Sequence, residues 1–134
     1  MGIRSELGEK FDFDIIDEFL DHYSLMIDSM EIMIIDLSKP EMYHRSLDEL
    51  FRVFHNIKAA TAYLGLEKMR RLATLAEGIL EDIRHTNRAI GEDSINWFLA
   101  IKDMFAQWNE DFKLDHDLSK MKFSLLKIPD VEKQ

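Results

Sequence analysis

Three side chains of this chain have the types and spacing for nucleophilic chemistry at an imidazole: His55, Lys58 and Glu77. An imidazole becomes a defined nucleophile when a carboxylate accepts from one ring nitrogen. That contact sets tautomer and orientation and leaves a lone pair on the other nitrogen. At about 100° per residue, Leu47, Leu50, Phe51, Phe54, Ile57, Thr61 and Leu64 share one helical face, which is core. His55 lies roughly 120° from the centre of that face and points towards water. Its neighbours one turn away are Arg52, Ala59 and Ala62, and Lys58 is within helical reach. A histidine held on a rigid helix beside two small side chains suits close approach by another protein.

Glu77 belongs to a second helical pattern, about 100° from the centre of its apolar stripe. If these two helices pack antiparallel across a turn at Gly65, Glu77 comes near His55. Each residue also has a plainer reading. His55 can be a solvated side chain, and Lys58 a surface lysine with its stem on the core margin. Glu77 can pair with Arg70 or Arg84. Ala59, Ala62 and Gly65 are explained by helix propensity and a C-cap, and Arg52 and Asn56 by solvation.

The elements that must position these residues are helical. Phe13, Ile16, Phe19, Leu20, Tyr23, Ile27, Met30, Ile34 and Leu37 recur at helical spacing in a first helix starting near Phe11 to Asp14, with an aspartate cap. Asp14, Asp17, Asp21 and Asp28 occupy its other faces. Met26, Met30 and Met33 read as core filler and its margin. Ser38-Lys39-Pro40-Glu41 ends this helix and is a capping candidate for the next, and Ser46-Leu47-Asp48-Glu49 is a second capping-box candidate. That second helix starts between Glu41 and Leu47 and ends at Gly65, suited to a left-handed C-terminal position. A third runs from about Glu67 to Arg84 or Asn87 on Met69, Leu72, Ala73, Ala76, Ile79, Leu80 and Ile83. A fourth spans about Asp93 to Phe112, with Ile95, Phe98, Leu99, Ile101, Phe105, Trp108 and Phe112 inward. Short connections favour an all-α, antiparallel up-down four-helix bundle over residues 1–113. Met1 to Lys10 reads as a loose start. Residues 114–134 read as a tail, with a short helix over Asp117 to Leu126 ended by Pro129, then disorder.

His55-Asn56-Ile57-Lys58, the small pair Ala59-Ala60 and Gly65 ten positions after the histidine resemble the signature of histidine-containing phosphotransfer (HPt) domains. The resemblance runs from about Phe19 to Phe112 and is nearest to the phosphotransfer domain at the front of chemotaxis histidine kinases. There the usual run is His-x-x-Lys-Gly-Gly; here both glycines are alanines. Leu75-Ala76-Glu77-Gly78-Ile79-Leu80 is similar to the family segment whose glutamate follows the histidine at this interval. A second histidine usually precedes that glutamate by three residues; here it is Thr74, so fine tuning peculiar to that subfamily does not carry over.

The resemblance implies that His55 accepts a phosphoryl group, that Glu77 orients the imidazole and that Lys58 attracts the phosphoryl charge. It implies a receiver domain of a response regulator, or a hybrid histidine kinase, as partner, with the receiver bringing Mg²⁺. The expected docking face comprises Arg52, Asn56, Ala59, Ala62, Tyr63, Gly65, Arg70 and Thr74. On this reading the chain is a phosphocarrier without an ATP site of its own, not an independent enzyme, and a monomer.

Composition is consistent with that class. The formal charge is −9, from 26 acidic and 17 basic residues, which disfavours nucleic acid and anionic membranes as partners. There are no cysteines, so disulfides and thiolate metal sites are excluded and a reducing cytoplasm fits. No apolar run reaches the roughly 18 residues of a membrane span, and Met1 to Lys10 lacks a signal peptide. Met1-Gly2 begins like a myristoylation site, but Glu6 stands where Ser or Thr is wanted. His22, His44, His85 and His116 form no metal-ligand spacing, and no Gly-rich phosphate loop is present, so neither metal nor bound cofactor is expected. Two rival readings stand beside the carrier. One is the leading fragment of a chemotaxis kinase, although an end at Gln134 favours a free-standing module. The other is a helical adaptor in which His55 is inert.

Overall fold

The computed structural model describes residues 2–131. The chain is all-α: α1 (Ile3–Gly8), α2 (Phe13–Asp36), α3 (Tyr43–Leu64), α4 (Glu67–Thr86), α5 (Glu92–Lys113) and a 3-10 turn at Phe123–Leu126. The four long helices, α2 to α5, are the four expected from the periodicity.

Only Gly65 and Leu66 separate α3 from α4, which forces the two helices antiparallel. Gly65 takes φ +74°, where a side chain would be strained. The Leu66 amide donates to the Thr61 carbonyl (2.8 Å) and the Gly65 amide to Ala62 (3.2 Å), closing the last turn as a Schellman motif. α2 packs on both α3 and α5, and the rings of Phe19, Tyr23, Phe105 and Phe112 interlock between α2 and α5. The buried Tyr23 hydroxyl donates to the Phe105 carbonyl. Burial, reinforced by the Asp111 charge, raises the Tyr23 pKa well above its ordinary value and keeps the phenol protonated as that donor.

Five expectations change at the ends of elements. Residues 2–10 are ordered by contact, not loose: Gly2 is buried and its backbone lies against Asp115, so that a Cβ on Gly2 would sit 1.7 Å from the Asp115 carbonyl oxygen. The Ile3 amide donates to the His116 carbonyl (2.9 Å) and the Ser5 amide to the Asp115 carboxylate (2.9 Å). Ile3 and Leu7 then join the core. Asp12 does occupy the α2 N-cap, but its carboxylate makes no capping hydrogen bond. Phe13, expected inward, is 64% exposed, because α1 takes the inner position and Phe13 lies beside Gly8. Neither serine motif caps α3: Met42 is its N-cap, Ser38 donates back to the Ile35 carbonyl (2.8 Å), and Ser46 is buried within the helix.

The tail is the fifth change. No helix covers residues 117–122; the chain there has no regular secondary structure and is held by side chains of α5. Trp108 Nε1 donates to the Ser119 carbonyl (2.8 Å) and Trp97 Nε1 to the Leu125 carbonyl (2.9 Å). The buried Asp111 carboxylate accepts from the Ser119 amide (2.8 Å). Leu125 and Val131 are buried, whereas Phe123 is 87% exposed. The expected disorder therefore does not extend over residues 129–131; its remainder, residues 132–134, lies outside the described residues.

Candidate functional site

The α3–α4 turn sets the level of the site. His55 is ten residues before Gly65 and Glu77 twelve after it. At about 1.5 Å per residue the two lie about 15 and 18 Å from the turn, within one helical turn of each other. The side chains meet. Glu77 is 8% exposed, a buried carboxylate facing α3. Its Oε1 lies 3.3 Å from His55 Nδ1 and its Oε2 accepts from Lys58 Nζ at 2.8 Å. Lys58 compensates the cost of burying that charge. Oε1 makes no hydrogen bond of regular geometry among the described residues, so the imidazole is its natural donor.

The His55 side chain is 57% exposed. With Nδ1 turned to the carboxylate, Nε2 lies on the opposite edge of the ring. Arg70 and Arg84, the alternative partners for Glu77, are engaged elsewhere. Arg70 pairs with Glu67 (2.7 Å), and Arg84 pairs with Glu81 (2.6 Å) and Asp48 (3.0 Å). The Arg70 bond holds the Glu67 carboxyl below its usual pKa.

The remaining residues expected to surround the histidine divide into two groups. Arg52, Asn56, Ala59, Ala62 and Tyr63 are exposed on α3, and Gly65 is exposed at the turn. On α4, Thr74 is exposed, with its hydroxyl donating to the Arg70 carbonyl (2.8 Å), and Arg70 is half-buried. Asn56 and Tyr63 also edge a groove of about 470 Å³ between α2 and α3, floored by Phe19, Ala60 and Leu64. Tyr63 is braced by Phe11, ring centroids 5.5 Å apart.

Phe51 departs from its expected place on the core face. It is half-buried and stacks beside His55, ring planes 10° apart and centroids 6.3 Å apart. Arg84 lies over the Phe51 ring at 5.2 Å. The i, i+4 spacing of Phe51 and His55 was the available signal. Among the described residues, no group of three His, Asp or Glu side chains is arranged to hold a metal ion, and no helix is long and apolar enough to cross a membrane.

The chain is similar to part of chemotaxis protein CheA. It is 26% identical to the protein of Salmonella typhimurium over 100 residues, which is 75% of this chain and 15% of that relative. Against the Klebsiella aerogenes protein it is 25% identical over 95 residues, 71% of this chain and again 15% of the relative. No protein-family profile matches the chain.

Proposed function

We propose that this chain is a histidine phosphotransfer module in which His55 carries the phosphoryl group. The observation that carries the reading is one buried carboxylate shared by an exposed imidazole and a lysine. In the proposed step the Nε2 lone pair of neutral His55 attacks the phosphorus of an aspartyl phosphate on a receiver domain. The N–P bond forms as the P–O bond breaks, and the aspartate leaves as a carboxylate. The ring keeps its Nδ1 proton and becomes a phosphoimidazolium, whose positive charge faces Glu77. Lys58, 2.8 Å from the same carboxylate, is one turn from His55 and offers its charge to the phosphoryl oxygens. The reverse sequence returns the group to the receiver, which supplies the Mg²⁺.

The module has no ATP site in this reading and acts as a carrier within the cytoplasm. Arg52, Asn56, Ala59, Ala62, Tyr63, Gly65, Arg70 and Thr74 form the docking face, with the small residues leaving room for the receiver.

The similarity to CheA favours a second reading, in which the chain is the phosphotransfer part of a chemotaxis kinase and an ATP-binding domain phosphorylates His55. One experiment tests both. The protein and its His55→Gln variant are incubated with a phosphorylated receiver and, separately, with a chemotaxis-kinase catalytic domain and ATP. Acid-labile, base-stable label on the wild type alone supports the carrier, and the productive donor selects between the readings. No label from either donor leaves a helical adaptor.

A further inference from the structure

Glu77 alone does not immobilise the His55 ring. Its Oε1 is 3.3 Å from Nδ1 without regular hydrogen-bond geometry, and one edge contact leaves the ring free to swing about that contact. A planar neighbour parallel to the ring removes this motion. Phe51 is such a neighbour, four residues earlier on α3 and 10° from parallel. Its own ring is held from two sides. The inner edge packs against the core, and the Arg84 guanidinium sits 5.2 Å from its centroid. Arg84 is tied to both helices, through Asp48 on α3 and Glu81 on α4.

We infer that Phe51, buttressed by Arg84, is a positioning residue for the His55 imidazole: Glu77 sets the edge of the ring and Phe51 sets its plane. The kinetic part of this inference rests on His55 being the phosphoryl acceptor. Loss of the parallel ring broadens the directions in which Nε2 points, and attack at phosphorus needs alignment.

The test compares Phe51→Leu, Phe51→Tyr and Arg84→Ala with the wild type, at a temperature where circular dichroism shows all four fully helical. Leu keeps apolar bulk and the fold, and Tyr keeps the ring. Phosphoryl uptake from a phosphorylated receiver should fall about threefold to tenfold in Phe51→Leu. Arg84→Ala should change in the same direction by less, and Phe51→Tyr should match the wild type. Carbon-13 relaxation of the labelled imidazole should show greater ring mobility in Phe51→Leu and none in Phe51→Tyr, a signature that mere loss of core packing would not produce. Wild-type uptake in Phe51→Leu, or an imidazole as ordered as in the wild type, would overturn the inference. If the wild type itself takes no phosphoryl group, the phosphotransfer reading fails, and the relaxation measurement still decides whether Phe51 orders the ring.

Discussion

The two seams on either side of α4 are built differently. Against α3, α4 packs along its length, and the contact is closed at one end by the two-residue Gly65–Leu66 turn. Against α5, α4 packs little. There the tail runs beside the helices, pinned by Trp97, Trp108 and Asp111 of α5, and residues 129–131 line an open pocket together with Asp82 and His85 of α4. The first seam presents polar groups to the surface in a defined geometry. The second closes the core. In the proposed phosphotransfer, a histidine that meets a receiver is better placed on the seam whose register is set by a short turn, because a turn of two residues leaves the helices almost no freedom to slide.

The comparison predicts that changes at the first seam alter chemistry and changes at the second alter stability. The largest effect should be at His55. His55→Gln should lose all phosphoryl label while keeping its helical circular dichroism, since the side chain is mostly exposed. Next, Trp108→Ala should cost about 3–5 kcal/mol in denaturant unfolding, through the emptied core volume and the lost tie to Ser119. Its rate of phosphoryl uptake, measured where it remains folded, should stay at the wild-type value; a fall there would show that the two seams are coupled. Glu77→Ala should slow uptake about tenfold to hundredfold without stopping it, because in the proposed step the carboxylate orients and does not attack. An unchanged single-turnover rate would remove Glu77 from the site. The exception at the first seam is its closing turn, which carries stability and no chemistry: Gly65→Ala should cost about 1–2 kcal/mol in thermal unfolding, from the left-handed backbone alone, as nothing lies within 4 Å of the added methyl.

The smallest effect is one of pH, and it belongs to the end of the bundle where α1 docks. The hydrogen bonds that Ser5 gives Asp115, from hydroxyl and backbone amide, hold its carboxyl below the usual carboxylate range. A carboxyl with a lowered folded pKa adds stability that is present above its unfolded value and lost as the pH falls through the folded one. Hydrogen exchange of the Ile3 amide should therefore accelerate at acid pH, below the ordinary aspartate range, and the acceleration should be absent in Asp115→Asn. Equal acceleration in both would assign the loosening to another group.

The helix count and the α3–α4 hairpin were legible because both are local. Ile57, Thr61 and Leu64 show the core face of α3 within two turns, and Gly65 marks its end by an intrinsic backbone preference. From that turn, the residue count alone brings His55 and Glu77 to one level. What the count leaves open is which partner Glu77 takes among three cations on neighbouring turns. Packing decided for Lys58, with His55 at the other oxygen, while Arg70 and Arg84 went to Glu67, Glu81 and Asp48.

The ends of the chain were illegible for the opposite reason. Gly2 to Gly8 is too short for a hydrophobic period to declare itself, and an isolated helix of that length is unstable in water. It exists because Asp115 and His116, more than a hundred residues away, accept its amides. The tail from Ser119 to Leu125 has too few apolar positions to fix a period, so the helix expected over Asp117 to Leu126 shrinks to the 3-10 turn; its path depends on where two indole N–H groups point after α5 has packed. Sequence by itself determined the elements whose stability comes from their own apolar faces and the one turn stiff enough to register a pair of them. Tertiary structure alone determined the elements that borrow their hydrogen bonds from distant parts of the chain, and it chose the plane of the imidazole, because ring-on-ring contact depends on rotamers that only the packed seam selects.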